Sequence, residues 1–163
     1  MRGGETDLPD SVLERLDIAI ASIHMPCFKD ERTIDNVTAA YEKVMEHPYV
    51  DIIGHPDDGR FPVDMKRLVK KAKETGTLLE VNNSSLRPEG FRENTKENCL
   101  EMVKECKAQG VMIVLGSDSH VDTDIAEYPY AEEILRETDF PEELVANVSL
   151  EKLKACIKHG KKL

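Results

Sequence analysis

The chain has 163 residues, 40% of them apolar, and a formal net charge of −10. That length suits one domain with a core of its own, and the acidic balance argues against a protein built to cover nucleic acid or an anionic membrane. The longest apolar runs are strand-sized, so neither a signal peptide nor a membrane span is read, and the cytoplasm is the expected compartment.

In chain order, residues 16–23 form the first apolar run, which leads into His24. A helix follows, with Ile34, Val37, Tyr41, Val44 and Met45 on one stripe that stops before Pro48. His47, at that helix end, suits a surface or capping role. The second run, 49–54, ends at His55, and Met65, Leu68, Val69 and Ala72 then form a stripe between Pro62 and Gly76. Residues 78–81 are the third run and lead into Asn82 and Asn83. A helix over about 94–109 turns Cys99, Met102, Val103 and Cys106 inward, with Gly110 closing it and Asn94 and Glu97 spaced as a capping box. Residues 111–115 are the fourth run, directly followed by Gly116-Ser117-Asp118-Ser119-His120. Beyond them come a helix near 130–138, a turn at 141–145, and a last helix over about 150–159 capped by Ser149, with a frayed end at 161–163. Cys99, Cys106 and Cys156 read as structural thiols, and Cys27, three residues past His24, as a bystander.

Strand and helix alternating at roughly 30-residue spacing predicts an α/β fold with a parallel sheet. Function in such folds gathers at the carboxyl ends of the strands. His24, His55, Asn82, Asp118 and His120 all fall there, after four consecutive strands. In extended chain, residues two apart share a side, so Asp118 and His120 can face one ion or two adjacent ions. Their oxygen and nitrogen donors suit zinc, manganese or iron, while a plain loop with Asp118 or Ser119 capping the next helix is the competing reading. Arg60, Arg87 and Arg92 follow strand ends within reach of a substrate phosphate, with solvated surface charge as the alternative. Asn82 either lines the site or satisfies loop backbone.

Five segments carry a family resemblance: Ile20-Ala21-Ser22-Ile23-His24, Ile53-Gly54-His55-Pro56, Glu80-Val81-Asn82-Asn83-Ser84-Ser85, Gly116-Ser117-Asp118-Ser119-His120 and Asn147-Val148-Ser149. In their order and spacing the chain resembles the PHP (polymerase and histidinol phosphatase) superfamily, and within it the YcdX-like metal-dependent phosphatases. The resemblance covers essentially the whole chain, 1–163, as a single domain. It implies a distorted seven-stranded (β/α) barrel, TIM-like, with a three-metal cluster at its carboxyl face. His24 and His55 would share one ion, Asp118 would bind a second and His120 a third. The family's earlier ligands, a His-x-His and a bridging Glu, have no clear counterpart, Glu5 being a weak candidate. The expectation is therefore a partial barrel whose amino-terminal strands are missing.

The function so implied is hydrolysis of a small phosphomonoester by metal-activated water, with zinc the first expectation and manganese or iron the next. Asn82, Arg60 and Arg87 are the expected substrate contacts. Two alternatives stand beside it: a non-catalytic remnant that binds at most one metal, and a phosphoesterase of the same superfamily acting on nucleic acid, against which the acidic composition counts. An open barrel edge would expose strand backbone and apolar surface, so a second copy covering it, or limited solubility, is expected.

Overall fold

The computed structural model describes residues 3–158, so the expectations at 159 and 161–163 lie outside the described residues. After a short helix α1 (Asp10–Leu13), strand β1 (Ile20–Ala21) begins a sheet continued by β2 (Ile52–Ile53), β3 (Leu78–Asn82) and β4 (Ile113–Gly116). All pair in parallel, in the order β1-β2-β3-β4. Helices α2 (Ile34–Met45), α3 (Met65–Thr75) and α4 (Thr95–Gln109) connect successive strands, and α5 (Pro129–Glu137) and α6 (Leu150–Cys156) follow β4. The α/β class is as expected from the spacing. The described strands form a four-stranded sheet in which β4 also makes one parallel bridge, from Ile113 to Val145.

The first two strands are shorter than the apolar runs that contain them, for a local reason. The Asp51 side chain accepts the Ala19 N–H at 3.0 Å, while the Ala19 carbonyl takes the N–H groups of both Asp51 and Ile52. A carboxylate thus replaces a rung of the ladder below β1. At its other end β2 is stopped by His55, whose φ of +36° leaves the extended region.

Helix ends follow their capping chemistry. Thr33, Asp64 and Ser149 accept backbone N–H groups at the starts of α2, α3 and α6, and Gly76 and Gly110 close α3 and α4 at positive φ. The α4 start differs from the capping box. Asn94 sits at φ +51° with no side-chain cap bond, because its loop is tied elsewhere: Thr95 Oγ1 donates to the Ser85 carbonyl and Gly59 N–H to the Glu93 carbonyl. Helix α5 starts one residue before the expectation, with Pro129 in its first turn.

The two faces of the sheet are treated differently, and this positions the site. Ile53, Leu79, Val81 and Ile113 pack with α2, α3, α4 and α5 in the main core. On the opposite face, Ile52, Leu78 and Val114 form a smaller cluster with Ala146, against which Leu153 and Cys156 of α6 pack. Side chains alternate along a strand, so Gly54, Glu80, Asn82 and Gly116 continue that second face toward the carboxyl ends, beyond the smaller cluster. There the sheet becomes the floor of a cavity.

Candidate functional site

The cavity encloses about 790 Å³, and its lining includes His24, His55, Glu80, Asn82, Arg92, Asp118 and His120. It therefore brings together, in one place, five of the residues placed at strand ends by the sequence. His24 and His55 meet edge to face, ring centroids 4.9 Å apart at 88°. His24 Nε2 shares a hydrogen bond with Ser22 Oγ at 2.8 Å. Burial, reinforced by the Arg92 guanidinium, lowers the pKa of His24 and depresses that of His55 to about 4. Both shifts favour the neutral imidazole.

Arg92 supplies the fixed positive charge. Its side chain is 7% exposed, Nη1 donates to Ser85 Oγ at 2.8 Å and Asn82 Oδ1 at 3.3 Å, and Nη2 donates to Asp118 Oδ2 at 3.0 Å. Asp118 adopts φ +49°. Its carbonyl accepts from His120 Nδ1 at 3.0 Å, so Nδ1 carries a proton and Nε2 is the nitrogen left facing away from that bond. Neither Asp118 nor Ser119 caps a helix; Ser119 closes a local turn with Val121.

Asn82 is buried in the floor, where its Oδ1 accepts the Ser85 N–H at 2.8 Å and its Nδ2 donates to Glu80 Oε2 at 3.1 Å. Asn83 turns away from the site: its Oδ1 accepts the N–H groups of Tyr130 and Ala131 and so caps α5 from a distance. Arg60 and Arg87 do not line the cavity. Arg60 is paired with Asp58, Nε to Oδ1 at 2.9 Å, and lies 4.8 Å from the Phe91 ring centre; Arg87 is paired with Asp124 at 2.5 Å. Glu80 is a charged lining residue to which the sequence alone assigns no role. Its signal is the two-residue spacing from Asn82, which puts both on one sheet face.

A divalent ion fits these residues in part. His55 Nδ1 is buried without a hydrogen-bond partner, as expected of a nitrogen whose partner is not part of the chain, and the surroundings of its neighbour His24 also favour the neutral ring. Yet among the described residues no group of three or more His, Cys, Asp or Glu side chains is gathered to hold an ion.

Fold and pocket define a parallel α/β protein with a cavity over its strand ends into which histidine, carboxylate and arginine side chains converge, and no described helix is long and apolar enough to cross a membrane. Over nearly its whole length the chain is similar to proteins named probable phosphatases. It is 46% identical over 160 residues to one from Clostridium novyi (strain NT), the alignment covering 98% of this chain and 64% of that protein. The corresponding figures are 42% over 158 residues for one from Acetivibrio thermocellus, with 97% and 64% covered. For one from Caldicellulosiruptor saccharolyticus they are 40% over 161 residues, with 98% and 66% covered. The chain thus spans somewhat less than two thirds of the length of these relatives. No protein-family model matches it.

Proposed function

We propose that this chain is a PHP-type metal-dependent phosphatase unit whose cavity binds a small phosphomonoester. The observation that carries the reading is the meeting, in one cavity at the strand ends, of a neutral imidazole pair with a buried guanidinium. A phosphoryl group needs a donor whose charge survives at any working pH, and arginine supplies it. Neutral imidazole suits zinc first and iron next, and the Asp118 carboxylate beside it admits manganese. The names of the relatives support phosphate chemistry.

His24 and His55 would hold a shared ion, with Asp118 and His120 offered from the β4 loop. When bound, such an ion lowers the pKa of water enough to supply hydroxide near neutrality. The remaining work falls to side chains. Arg92 binds and orients the phosphoryl oxygens, Asn82 and Ser85 hold Arg92 in place, and Asp118 balances the guanidinium charge until an anion enters.

The test is release of phosphate from an aryl phosphate with metal content measured on the same purified sample. Activity stimulated by zinc or manganese, lost with a chelator and lost in Arg92→Ala, is the expected result. A second reading is favoured by the absence of any three-donor group among the described residues: a unit that binds at most one ion and does not turn over alone, since catalytic zinc sites usually carry three protein ligands. One ion or none per chain, with no phosphate released, would decide for it.

A further inference from the structure

Glu80 stands on β3 at the centre of the cavity floor, and the neighbouring strands leave space for it. A methyl group at Gly116 of β4 would overlap Glu80 Oε1, and one at Gly54, just past β2, would come within 3.4 Å of Oε2. Neither glycine has positive φ; at Gly116 close approach of the carboxylate, not backbone conformation, is what excludes a side chain, while at Gly54 an added methyl would be tightest against Ile20 Cγ2, at 3.0 Å, and only in ordinary contact with Glu80. The carboxylate is buried, and its Oε2 accepts the backbone N–H of His55 at 2.7 Å as well as the Asn82 amide. His55 is a non-glycine residue at φ +36°, a conformation that persists only where the surroundings hold it.

We propose that Glu80 is the positioning residue for His55: seated between Gly54 and Gly116, its carboxylate clamps the His55 N–H and thereby sets the imidazole edge-on against His24. Without that acceptor a buried N–H is left unsatisfied and the backbone is free to relax toward negative φ, carrying the ring away. The consequence for function rests on the reading of His24 and His55 as an ion-holding pair. The clamp itself belongs to the metal-free chain, which allows the two ideas to fail separately.

The experiment compares the full chain with Glu80→Gln, Glu80→Ala and Gly116→Ala by NMR without metal. Parent and Glu80→Gln, which keeps an acceptor oxygen, should show a ring-to-ring NOE between His24 and His55 and a slowly exchanging His55 amide. Both signals should disappear in Glu80→Ala, and also in Gly116→Ala, whose added methyl displaces the carboxylate without altering residue 80. Zinc titration of the same samples should show affinity roughly tenfold or more weaker in Glu80→Ala and within about threefold of the parent in Glu80→Gln. Persistence of the NOE and slow exchange in Glu80→Ala would overturn the proposal, and so would their loss in Glu80→Gln, which would make charge rather than the clamp responsible. If Glu80→Ala does not fold, Glu80→Gln and Gly116→Ala decide by the same signals. A parent chain that takes up no zinc would refute the ion-holding reading and leave the NMR comparison to judge the clamp.

Discussion

Arg92 and His55 share the cavity's electrostatics unequally. Burial ranks ahead of Arg92 among the causes that depress His55, so Arg92→Ala should raise the His55 pKa from about 4 while leaving it below the ordinary 6.5; an NMR pH titration of the ring measures this. For stability the sign is set by linkage. The unfolded chain protonates His55 near 6.5 and the folded chain only near 4, so its contribution is intact above 6.5 and is lost as pH falls toward 4. Asp57 works in the opposite direction. Its carboxyl is buried without a hydrogen-bond partner and pushed up to about 7, so its contribution is present below its unfolded value near 3.8 and lost as pH rises through 7. In Asp57→Asn, denaturant unfolding across the neutral range should therefore show less loss of stability with rising pH than in the parent. An unchanged slope would mean that Asp57 is ionised in the folded chain.

Among the elements, α5 depends on a residue that is distant in sequence. Asn83 Oδ1 accepts two N–H groups of its first turn, Tyr130 at 2.9 Å and Ala131 at 3.1 Å. Asn83→Ala leaves both unpaired and should cost about 1–3 kcal/mol in denaturant unfolding. The local cap of α3 is the comparison: Asp64→Ala should cost about 1 kcal/mol, since it removes one bond, at 3.1 Å to the Arg67 N–H. Helices α2 and α3 are legible from their stripes because one face packs on the sheet and both carry local caps, although Ile34, in the first turn of α2, stays exposed. The α4 start is not legible, because contacts to Ser85 and Gly59, far along the chain, turn Asn94 into the left-handed region.

For the molecule as a whole, the β1 side leaves several apolar side chains uncovered. Ile20 is 59% exposed, and Leu8, Val12, Leu16 and Met25 are exposed with it. Several of these line a groove of about 310 Å³ beside the outer edge of β1. Apolar surface beside a strand edge favours association, and the expected occupant is a second copy of the chain. Light scattering during size exclusion should give the mass of two chains, reverting toward one in Ile20→Asp; a single-chain mass at every concentration would remove the expectation. Apolar periodicity and the position of polar residues after each run were enough, along the chain alone, to define an α/β fold and to bring His24, His55, Asn82, Asp118 and His120 to one end of its sheet, since parallel strands necessarily align their carboxyl ends. Folding decided which arginine enters the cavity, why a glycine faces Glu80 at position 116, and which asparagine caps rather than lines. Those outcomes depend on the direction of loop side chains and on neighbours 26 to 48 residues apart, and local spacing carries no record of either.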